Sequence, residues 1–453
     1  MLLCGAPGRW RVLDAFSAVP GAGLHAATQL DFQAVEVDFG VTRQSFFVGR
    51  GSVAIPGLLP GLVTAWRTEG HLPLARVLAP AIEAARKGVA LTEAISRMLA
   101  VIAPIADWSP GTRRMFGYAG GPPQVGTLLD NPGLADLLVR LAADPEGTLV
   151  GPWREAILAT AGAAAGGLVT DHDLRTWRPV WHAALEVPWG NTTVVTVPSP
   201  LPCGSLVLTA LMALRGLGWH GAAPGSTEQL VAEVAALNAQ AGARSSGRLD
   251  AWRDPDLLAM LAALPHRPEP RIAGNTTHIS VVDSDGQFAA MTTSNGEGCG
   301  HVLPDWGVHL NNFLGEEDIN PEGFHRAAPG SLLPTMMGPT AWIRGDATTI
   351  LGSGGSKRIR SAIAQVLMRL AEGHRLTDAV AAPRAHVDAG HIFYEAPGRT
   401  PIQQDWLAAR APHATRFDAP SMYFGGVHAV ERSGGGSLGA ADARRGAAVV
   451  VVP

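Results

Sequence analysis

Basic side chains, cysteines and long apolar runs are all scarce in this chain of 453 residues. Lys and Arg number 35 against 39 Asp and Glu, which gives a formal net charge of −4. This balance lacks the basic footprint of a nucleic-acid-binding protein, so we expect no nucleic acid partner. No apolar run reaches the roughly 18 residues of a membrane span, and "MLLCGAPGRW" is too short and broken for a signal peptide. We therefore expect a cytoplasmic protein with no membrane partner.

The small number of cysteines limits the chemistry further. A chain of this length can bury a large core without disulfides, and no cysteine pair has CxxC spacing. The three cysteines are Cys4, Cys203 and Cys299. The histidines lack metal-ligand spacing and no HExxH motif occurs, so we expect no metal and no cofactor. A packing or hydrogen-bonding role is favoured for His278 over that of a catalytic base, and Cys299 is more simply an inert side chain than a reactive thiol.

The order of patterns along the chain favours a layered α+β fold. Apolar residues spaced near 3.6 residues apart in 74–85 predict a helix that ends at Gly88. Thr170 and Asp173 form the capping-box pattern of a short helix. Strand patterns dominate from Thr276 onward, and "SKRIRSAIAQVLMRLAEGH" then predicts a long helix.

The stretch "GNTTHISVVDSDGQFAAMTTSN" (274–295) predicts a β-hairpin, because two alternating segments flank an Asp-Gly turn signal. A two-residue turn places Thr276 opposite Asn295. Ser294 then faces Thr277, and the alternative is a register that differs by one residue. Either register gathers hydroxyl groups at one end of the hairpin. Threonines favour strands and pair across them, so this cluster does not by itself require a function.

Chemistry gives the threonine cluster a second interpretation. A threonine hydroxyl is a poor nucleophile unless a base lies beside it, and the α-amine of an N-terminal threonine can be that base. This amine has a reference pKa of about 7.7–8.0, close to neutral pH. Attack of the hydroxyl on the preceding carbonyl would cut the chain and free the amine. The stretch therefore predicts a self-cleavage site between Asn275 and Thr276.

Many segments, all in the same order, resemble the γ-glutamyltranspeptidase family of N-terminal nucleophile hydrolases. The hairpin is similar to the start of that family's small subunit. The other matching segments are "RGSVAIPGLLPGLVTAWRTEGHLPLARVLAPAIEAARKG", "GGLVTDHDLRTWRPVWHAAL", "PSPLPCGS", "VHLNNFLGEED", "GSGGSKRI", "AVAAPRAH" and "GGVHAVERSGGGSLGAADARR". The resemblance implies a hydrolase or acyltransferase with a small-molecule substrate.

The resemblance also implies roles for single residues. Thr276 is the expected nucleophile and new N-terminus, and Ser294 takes the place of a supporting hydroxyl. Asn295 is assigned to substrate binding. Backbone N–H groups of Gly355 and its neighbour are expected to bind the oxyanion, which typically contributes about 10²–10³-fold per donor. The family usually has glycine at the second position, where this chain has Ser356.

The residues that hold a glutamyl group in the family are largely replaced. Phe16 stands at the position of an arginine that clamps the substrate carboxylate, and Thr335 and Met336 replace a pair of serines. Phe313 and Glu316 occupy positions that face the α-amino end of the substrate. Losing a bidentate arginine clamp removes charge-assisted hydrogen bonds that a neighbour cannot easily restore. We therefore expect a substrate other than a free γ-glutamyl group.

The family resemblance implies a four-layer αββα sandwich assembled from two fragments. Residues 1–275 are expected to form the large-subunit part and residues 276–453 the small-subunit part of one composite domain. The partner of each fragment is then the other fragment, in a heterodimer. The family normally has a helix and a core strand before "LLCGAPGRWRVLDAF", so we expect the natural protein to start upstream.

Two minor signals carry less weight. "GGSLG" (435–439) matches GxSxG, but its place in a predicted hairpin turn disfavours a nucleophile elbow. Arg43 and Arg50 are most simply surface residues, and the alternative is that they replace the lost carboxylate anchor.

Three functional hypotheses remain open. The first is a self-processing threonine hydrolase with a non-glutamyl substrate in actinobacterial specialised metabolism or antibiotic biosynthesis. Such an enzyme is similar to C–C bond hydrolases that act on pyrroline precursors of alkylprolines. The second is ordinary γ-glutamyl transfer or glutathione hydrolysis. The third is a relative without catalytic activity.

Overall fold

The structure, a computed structural model, describes residues 1–24, 29–38, 43–217, 219, 222–263, 276–410 and 413–452. Its strands are β1 (Leu2–Gly5), β2 (Arg11–Asp14), β3 (Gln33–Asp38), β4 (Arg43–Val48), β5 (Val89–Ala90), β6 (Leu128–Leu129), β7 (Val180–Ala183), β8 (Leu185–Trp189), β9 (Thr192–Thr196), β10 (Thr277–Val282), β11 (Phe288–Thr293), β12 (Val302–Leu303), β13 (Val308–His309), β14 (Thr340–Arg344), β15 (Ala347–Gly354), β16 (Ala385–Asp388), β17 (His391–Glu395), β18 (Ala414–Phe417), β19 (Gly426–Ser433) and β20 (Gly436–Ala441). Its α-helices are α1 (Leu58–Glu69), α2 (Leu74–Lys87), α3 (Glu93–Val101), α4 (Ala103–Ala106), α5 (Pro110–Phe116), α6 (Pro132–Ala143), α7 (Pro145–Thr148), α8 (Arg154–Ala161), α9 (Asp171–Thr176), α10 (Pro202–Gly216), α11 (Thr227–Ser245), α12 (Pro255–Ala263), α13 (Arg358–Ala371), α14 (Leu376–Ala381) and α15 (Pro401–Ala408).

The chain divides into two compact units. We call one the sandwich unit, which comprises Met1–Val12, Trp181–Thr293 and Thr335–Pro453. The other, the helical unit, comprises Leu13–Val180 and Ser294–Pro334. No helix among the described residues is both long enough and apolar enough to cross a membrane.

Two sheets and a layer of helices build the sandwich unit. The first sheet has the strand order β10-β11-β1-β2-β7, and the second has the order β20-β19-β15-β14-β9-β8. Strand β10 packs across β15 and β19 of the second sheet. Helix α13 covers the same second sheet because its apolar residues, spaced three or four apart, are buried: Ile359, Ile363, Val366 and Leu370. These two packed sheets with a covering helix confirm the predicted α+β sandwich.

Strands β10 and β11 form the predicted hairpin, but in the other register. Thr277 lies opposite Thr293, and the pairing continues residue by residue to the turn. The predicted pairing of Thr276 with Asn295, and of Ser294 with Thr277, is therefore wrong. The alternative register, one residue away, is confirmed.

The turn explains the change in register, because it is longer than two residues. The N–H of Asp283 donates to the carbonyl of Gln287 at 3.0 Å, so these two residues face each other across a three-residue loop, 284–286. The Asp283 carboxylate accepts hydrogen bonds from the N–H groups of Asp285 and Gln287 at 3.0 and 2.8 Å. An Asx-type turn that starts at Asp283 thus overrides the shorter Asp-Gly turn.

The helical unit confirms the local signals predicted for it. The Thr170 hydroxyl accepts a hydrogen bond from the N–H of Asp173, and the Asp173 carboxylate accepts one from the N–H of Thr170, so α9 begins with a complete capping box. Gly88 follows α2 directly, with a φ of 81°. The unit packs its helices around buried side chains, which include Val63, Leu137, Leu138, Leu141, Trp153, Ile157, Leu303 and Leu310.

Candidate active site

Thr276 lies directly against the glycine-rich end of β15. A Cβ atom built on Gly354 would be only 2.2 Å from the backbone oxygen of Thr276. Packed sheets normally lie about 10 Å apart, so the two backbones can meet here only because residue 354 has no side chain. The first described residue of the hairpin and the predicted oxyanion loop are therefore brought together, and Thr276 is half-buried.

The same close approach is repeated two residues along both strands. A Cβ atom on Gly352 would be 2.3 Å from Cε1 of His278, so the imidazole lies directly against that glycine. The His278 ring nitrogens lie 2.8 Å from Thr292 Oγ1 and 2.9 Å from Ser280 Oγ. Burial, followed by the nearby His428, lowers the pKa of His278 to about 3. His278 is therefore a neutral, hydrogen-bonded core residue, which confirms the favoured interpretation.

The loop after β15, where the oxyanion donors are predicted, has positive φ angles at two consecutive residues. Gly355 has a φ of 121°, and Ser356 adopts a left-handed φ of 49°. A non-glycine residue in this region costs about 1 kcal/mol, so Ser356 occupies a conformation that suits the glycine usual at this position. Helix α13 begins just beyond, with the N–H of Arg358 bonded to the Gly355 carbonyl at 3.0 Å.

Arg445 was not predicted from the sequence, and it lies beside this loop. Its Nη1 is 3.4 Å from a Cβ built on Gly354, and its Nη2 is 3.6 Å from a Cβ built on Gly355. The residue belongs to a short turn after β20, about 90 residues from the loop in sequence. The only sequence signal was the "ADARR" segment, which by itself gives no information about the distance to Thr276.

In the helical unit, Phe16 and Phe313 form one apolar contact. Their ring centroids are 4.6 Å apart with the planes tilted by 45°, and both side chains are buried. The backbone N–H of Phe16 donates to the Asp14 carboxylate at 3.0 Å. At the position expected for a carboxylate-binding arginine, the chain thus has Phe16, whose ring packs against that of Phe313.

Glu316, also in the helical unit, is a buried carboxyl group in an acidic neighbourhood. Burial, and then the nearby Glu297 and Asp318, raises the pKa of Glu316 well above its ordinary value. Its Oε1 has no hydrogen-bond partner among the residues that the structure describes. These surroundings favour the neutral acid over the carboxylate.

The paired asparagines near Glu316 hold loop backbones in place. Asn311 accepts from the N–H of Ala54 at 2.9 Å and donates back to its carbonyl at 3.0 Å. Asn312 accepts from the N–H of Glu297 at 2.9 Å. Buried amides of this kind must be hydrogen-bonded, which accounts for the paired asparagines in "VHLNNFLGEED".

The other predicted site residues are placed as follows. Ser294 is half-buried and accepts a hydrogen bond from the N–H of Gly296 at 2.9 Å, while Asn295 is exposed. Thr335 is buried and accepts from the N–H of Met337 at 3.1 Å, whereas Met336 is half-buried. Asn275 lies outside the described residues.

The minor signals are also resolved. Arg43 forms an exposed pair with Asp38 at 3.0 Å, and Arg50 pairs with Asp31 at 3.2 Å. Ser437 of "GGSLG" lies in β20 of a hairpin, so the expected absence of a strand-to-helix elbow there is confirmed.

Burial raises the pKa of the Cys299 thiol to about 12, in agreement with an inert side chain. Among the described residues, no cluster of three or more His, Cys, Asp or Glu could hold a metal ion.

The chain is similar to known proteins both in sequence and in fold. The sequence model of the family described as Gamma-glutamyltranspeptidase matches residues 12–452. The acylase ACY 1 proenzyme of a Pseudomonas species is 28% identical over 86% of this chain and 74% of its own length. The glutathione hydrolase proenzyme of Pseudomonas aeruginosa is 26% identical over 90% of this chain and 79% of its own. Among solved structures, that of a cephalosporin acylase from Bacillus halodurans superimposes on this chain with a TM-score of 0.78 and 20% sequence identity. The superposition covers 98% of this chain and 85% of the acylase chain.

Proposed function

The chain belongs to the γ-glutamyltranspeptidase family of enzymes, and from that premise we propose that it is a self-processing threonine hydrolase whose substrate is not a γ-glutamyl group. The observation that carries the proposal is the close approach between the backbone oxygen of Thr276, the candidate nucleophile, and Gly354, which precedes the candidate oxyanion residues. Curated relatives named as proenzymes support a processing step.

Self-cleavage uses the hydroxyl of Thr276. Its Oγ attacks the carbonyl carbon of Asn275 and forms an ester as the peptide C–N bond breaks, and the proton moves to the departing nitrogen. Water then hydrolyses the ester and leaves Thr276 with a free α-amine. Residues 1–275 and 276–453 remain associated as a heterodimer, because strands on both sides of the cut share one sheet.

Turnover repeats this chemistry on a substrate. The α-amine of Thr276 takes the hydroxyl proton as Oγ attacks the acyl carbon, then passes the proton to the leaving group. The N–H groups of Gly355 and Ser356 stabilise the oxyanion. The neutral, buried His278 supports the strand that carries Thr276, and the amine remains the base.

The side chains at the expected glutamate-binding positions support a different acyl group. An aromatic pair, Phe16 and Phe313, replaces the cationic clamp, and burial favours the neutral form of Glu316. A narrower hypothesis is hydrolysis of a C–C bond in a pyrroline precursor of an alkylproline, within actinobacterial antibiotic biosynthesis. That reaction needs only a carbonyl carbon whose leaving group is a stabilised carbanion.

Ordinary γ-glutamyl hydrolysis or transfer is the second candidate. Several relatives of comparable similarity are named glutathione hydrolases, which favours this activity. Release of nitroaniline from γ-glutamyl-p-nitroanilide at rates typical of enzymes would support it and would contradict the non-glutamyl proposal.

The processing step is tested by replacing Thr276. The expressed protein is expected to run as two fragments on a denaturing gel, with Thr276 as the first residue of the smaller one by N-terminal sequencing. Thr276→Ala should remain one intact band, because the attacking hydroxyl is lost. Thr277→Ala, which removes the exposed neighbouring hydroxyl, is the matched control and should still cleave. A single intact band from the unaltered protein, or cleavage of Thr276→Ala, contradicts the proposal.

A further inference from the structure

Ser353, the residue before Gly354 in β15, is buried, and its hydroxyl makes two hydrogen bonds. Ser353 Oγ accepts from the backbone N–H of Gly426 in β19 at 3.2 Å, and it lies 2.8 Å from the backbone oxygen of Gly354. A carbonyl can only accept and a hydroxyl has one hydrogen to donate, so this hydrogen goes to the Gly354 carbonyl. The serine therefore joins β19 to the glycine-rich loop through a hydrogen bond of defined direction.

The direction of this bond matters because the Gly354 carbonyl shares a peptide unit with the N–H of Gly355. A trans peptide unit is planar, and its C=O and N–H point in opposite directions. The hydroxyl that holds the carbonyl thus also sets the direction of the Gly355 N–H, which points away from Ser353. A peptide unit between two glycines meets little steric resistance to rotation, so a partner for its carbonyl is needed to keep one orientation.

Gly425 makes room for this arrangement. A Cβ atom at position 425 would lie 2.5 Å from the Gly354 oxygen and 2.8 Å from Ser353 Oγ. The Cα atom of Gly425 is also only 2.8 Å from the position of a Cβ atom on Gly355. The backbone at Gly425 therefore lies against the whole segment from Ser353 to Gly355, and a side chain there would separate the hydroxyl from the carbonyl.

A buried ion pair holds the backbone of residues 424–427, which includes the N–H that donates to the serine. Arg384 Nη1 donates to the carbonyl of Phe424 at 3.3 Å, and Asp442 Oδ2 accepts from the N–H of Val427 at 3.0 Å. Arg384 and Asp442 are themselves 2.5 Å apart, and both side chains are buried. Separating such a pair leaves an uncompensated buried charge, which is costly. The pair therefore fixes segment 424–427 on both sides of its two glycines.

We propose that Ser353 is a positioning residue for the oxyanion donor, because its hydroxyl holds the peptide unit between Gly354 and Gly355 in the orientation in which the Gly355 N–H meets the oxyanion. This inference rests on the proposed function and adds to it a residue that acts through another. Oxyanion donors are effective when their orientation is fixed before the charge develops. Loss of the Ser353 hydroxyl should therefore weaken stabilisation of the charged intermediates more than binding of a neutral substrate.

Hydrolysis of p-nitrophenyl acetate by the self-cleaved protein tests this role, because the small acetyl group makes few demands on residues that recognise a larger acyl group. Thr276 Oγ attacks the acetyl carbon as its α-amine takes the proton, the ester C–O bond breaks, and p-nitrophenol leaves with that proton. Water then hydrolyses the acetyl ester of Thr276 and releases acetate. The variants are Ser353→Ala, which removes the hydroxyl, and Ser353→Cys, whose thiol is a weaker hydrogen-bond donor.

We expect Ser353→Ala to lower kcat by about 10- to 100-fold. This loss is smaller than the value of about 10²–10³-fold for removing a donor outright, because the Gly355 N–H remains and loses only its fixed orientation. KM should change by less than about threefold, since formation and hydrolysis of the acyl-enzyme pass through the same kind of oxyanion and slow together. Ser353→Cys should give a kcat between those of Ser353→Ala and the unaltered enzyme.

A tetrahedral analogue separates this role from a purely structural one. Boron of methylboronic acid binds Thr276 Oγ and forms a negatively charged tetrahedral adduct, so the inhibition constant should rise by about the factor by which kcat/KM falls. Ser361→Ala is the matched control, because Ser361 is also a buried serine and its hydroxyl contacts His386 and Gln240 instead of the loop. This control should lower the thermal stability and leave kcat and the inhibition constant within about threefold.

Two results would overturn the positioning role. One is a kcat and a boronate inhibition constant for Ser353→Ala within about threefold of the unaltered values, and the other is an equal loss in Ser361→Ala. Ser353→Cys decides by the same criteria if Ser353→Ala does not fold or does not cleave itself. Failure of the unaltered protein to cleave itself, or to hydrolyse the ester faster than Thr276→Ala does, contradicts the proposed function instead.

Discussion

The contact between Thr276 and Gly354 predicts a strong effect from one added methyl group. In Gly354→Ala the new Cβ would start 2.2 Å from the Thr276 carbonyl oxygen, whereas real Cβ atoms essentially never come within 3.0 Å of such a neighbour. One of the two backbones must therefore move by about 0.8 Å. Gly354 lies in a strand and has no left-handed φ, so alanine introduces a steric clash and no backbone strain.

The size of the effect follows from this displacement. A shift of about 1 Å in a catalytic group can cost about 10²-fold in rate. Overpacking a closely packed site typically costs about 1–3 kcal/mol in stability. We therefore expect Gly354→Ala to fold, to be moderately destabilised, and to cleave itself about 10²-fold more slowly than the unaltered protein.

Self-cleavage is followed by quantitative gel or intact mass spectrometry from the time of purification, with thermal unfolding measured in parallel. Gly216→Ala is the matched control, because a Cβ at Gly216, at the end of α10, would meet nothing within 4 Å. It should cleave at the normal rate. If Gly354→Ala cleaves within about threefold of the unaltered protein, the close approach of Thr276 to the loop is not what enables the reaction.

Two further predictions concern the helical unit. Because folding raises the pKa of Glu316, the unfolded chain loses this proton first as the pH rises above about 4.5. The free energy of unfolding should therefore fall with rising pH until the pKa of the folded state is passed. Urea unfolding at several pH values should show that Glu316→Gln abolishes this slope and that the exposed control Glu317→Gln keeps it. For the aromatic pair, a double-mutant cycle with Phe16→Leu and Phe313→Leu should give a coupling of about 0.5–1.5 kcal/mol in the free energy of unfolding. Additive effects of the two substitutions would contradict a direct ring contact.

Much of the fold could be predicted because its signals are local. The hairpin, the capping box at Thr170, the glycine after α2 and the long α13 all depend on residues that are near one another in the chain. The hairpin register was harder, because the Asp283 side chain selects a longer turn than the Asp-Gly pair suggests. A one-residue difference in turn length changes every cross-strand pair.

The sequence by itself determined the family, the candidate nucleophile and the replacement of the glutamate-binding residues. Each of these can be recognised from residue types that occur in a fixed order along the chain. Only the tertiary structure decided that Gly354 touches Thr276, that Arg445 lies beside both, and that Glu316 is buried in an acidic neighbourhood. These facts depend on backbones and charges that are distant in the chain and meet only through packing. Close approach and desolvation are properties of the folded arrangement, and no short stretch of sequence encodes them.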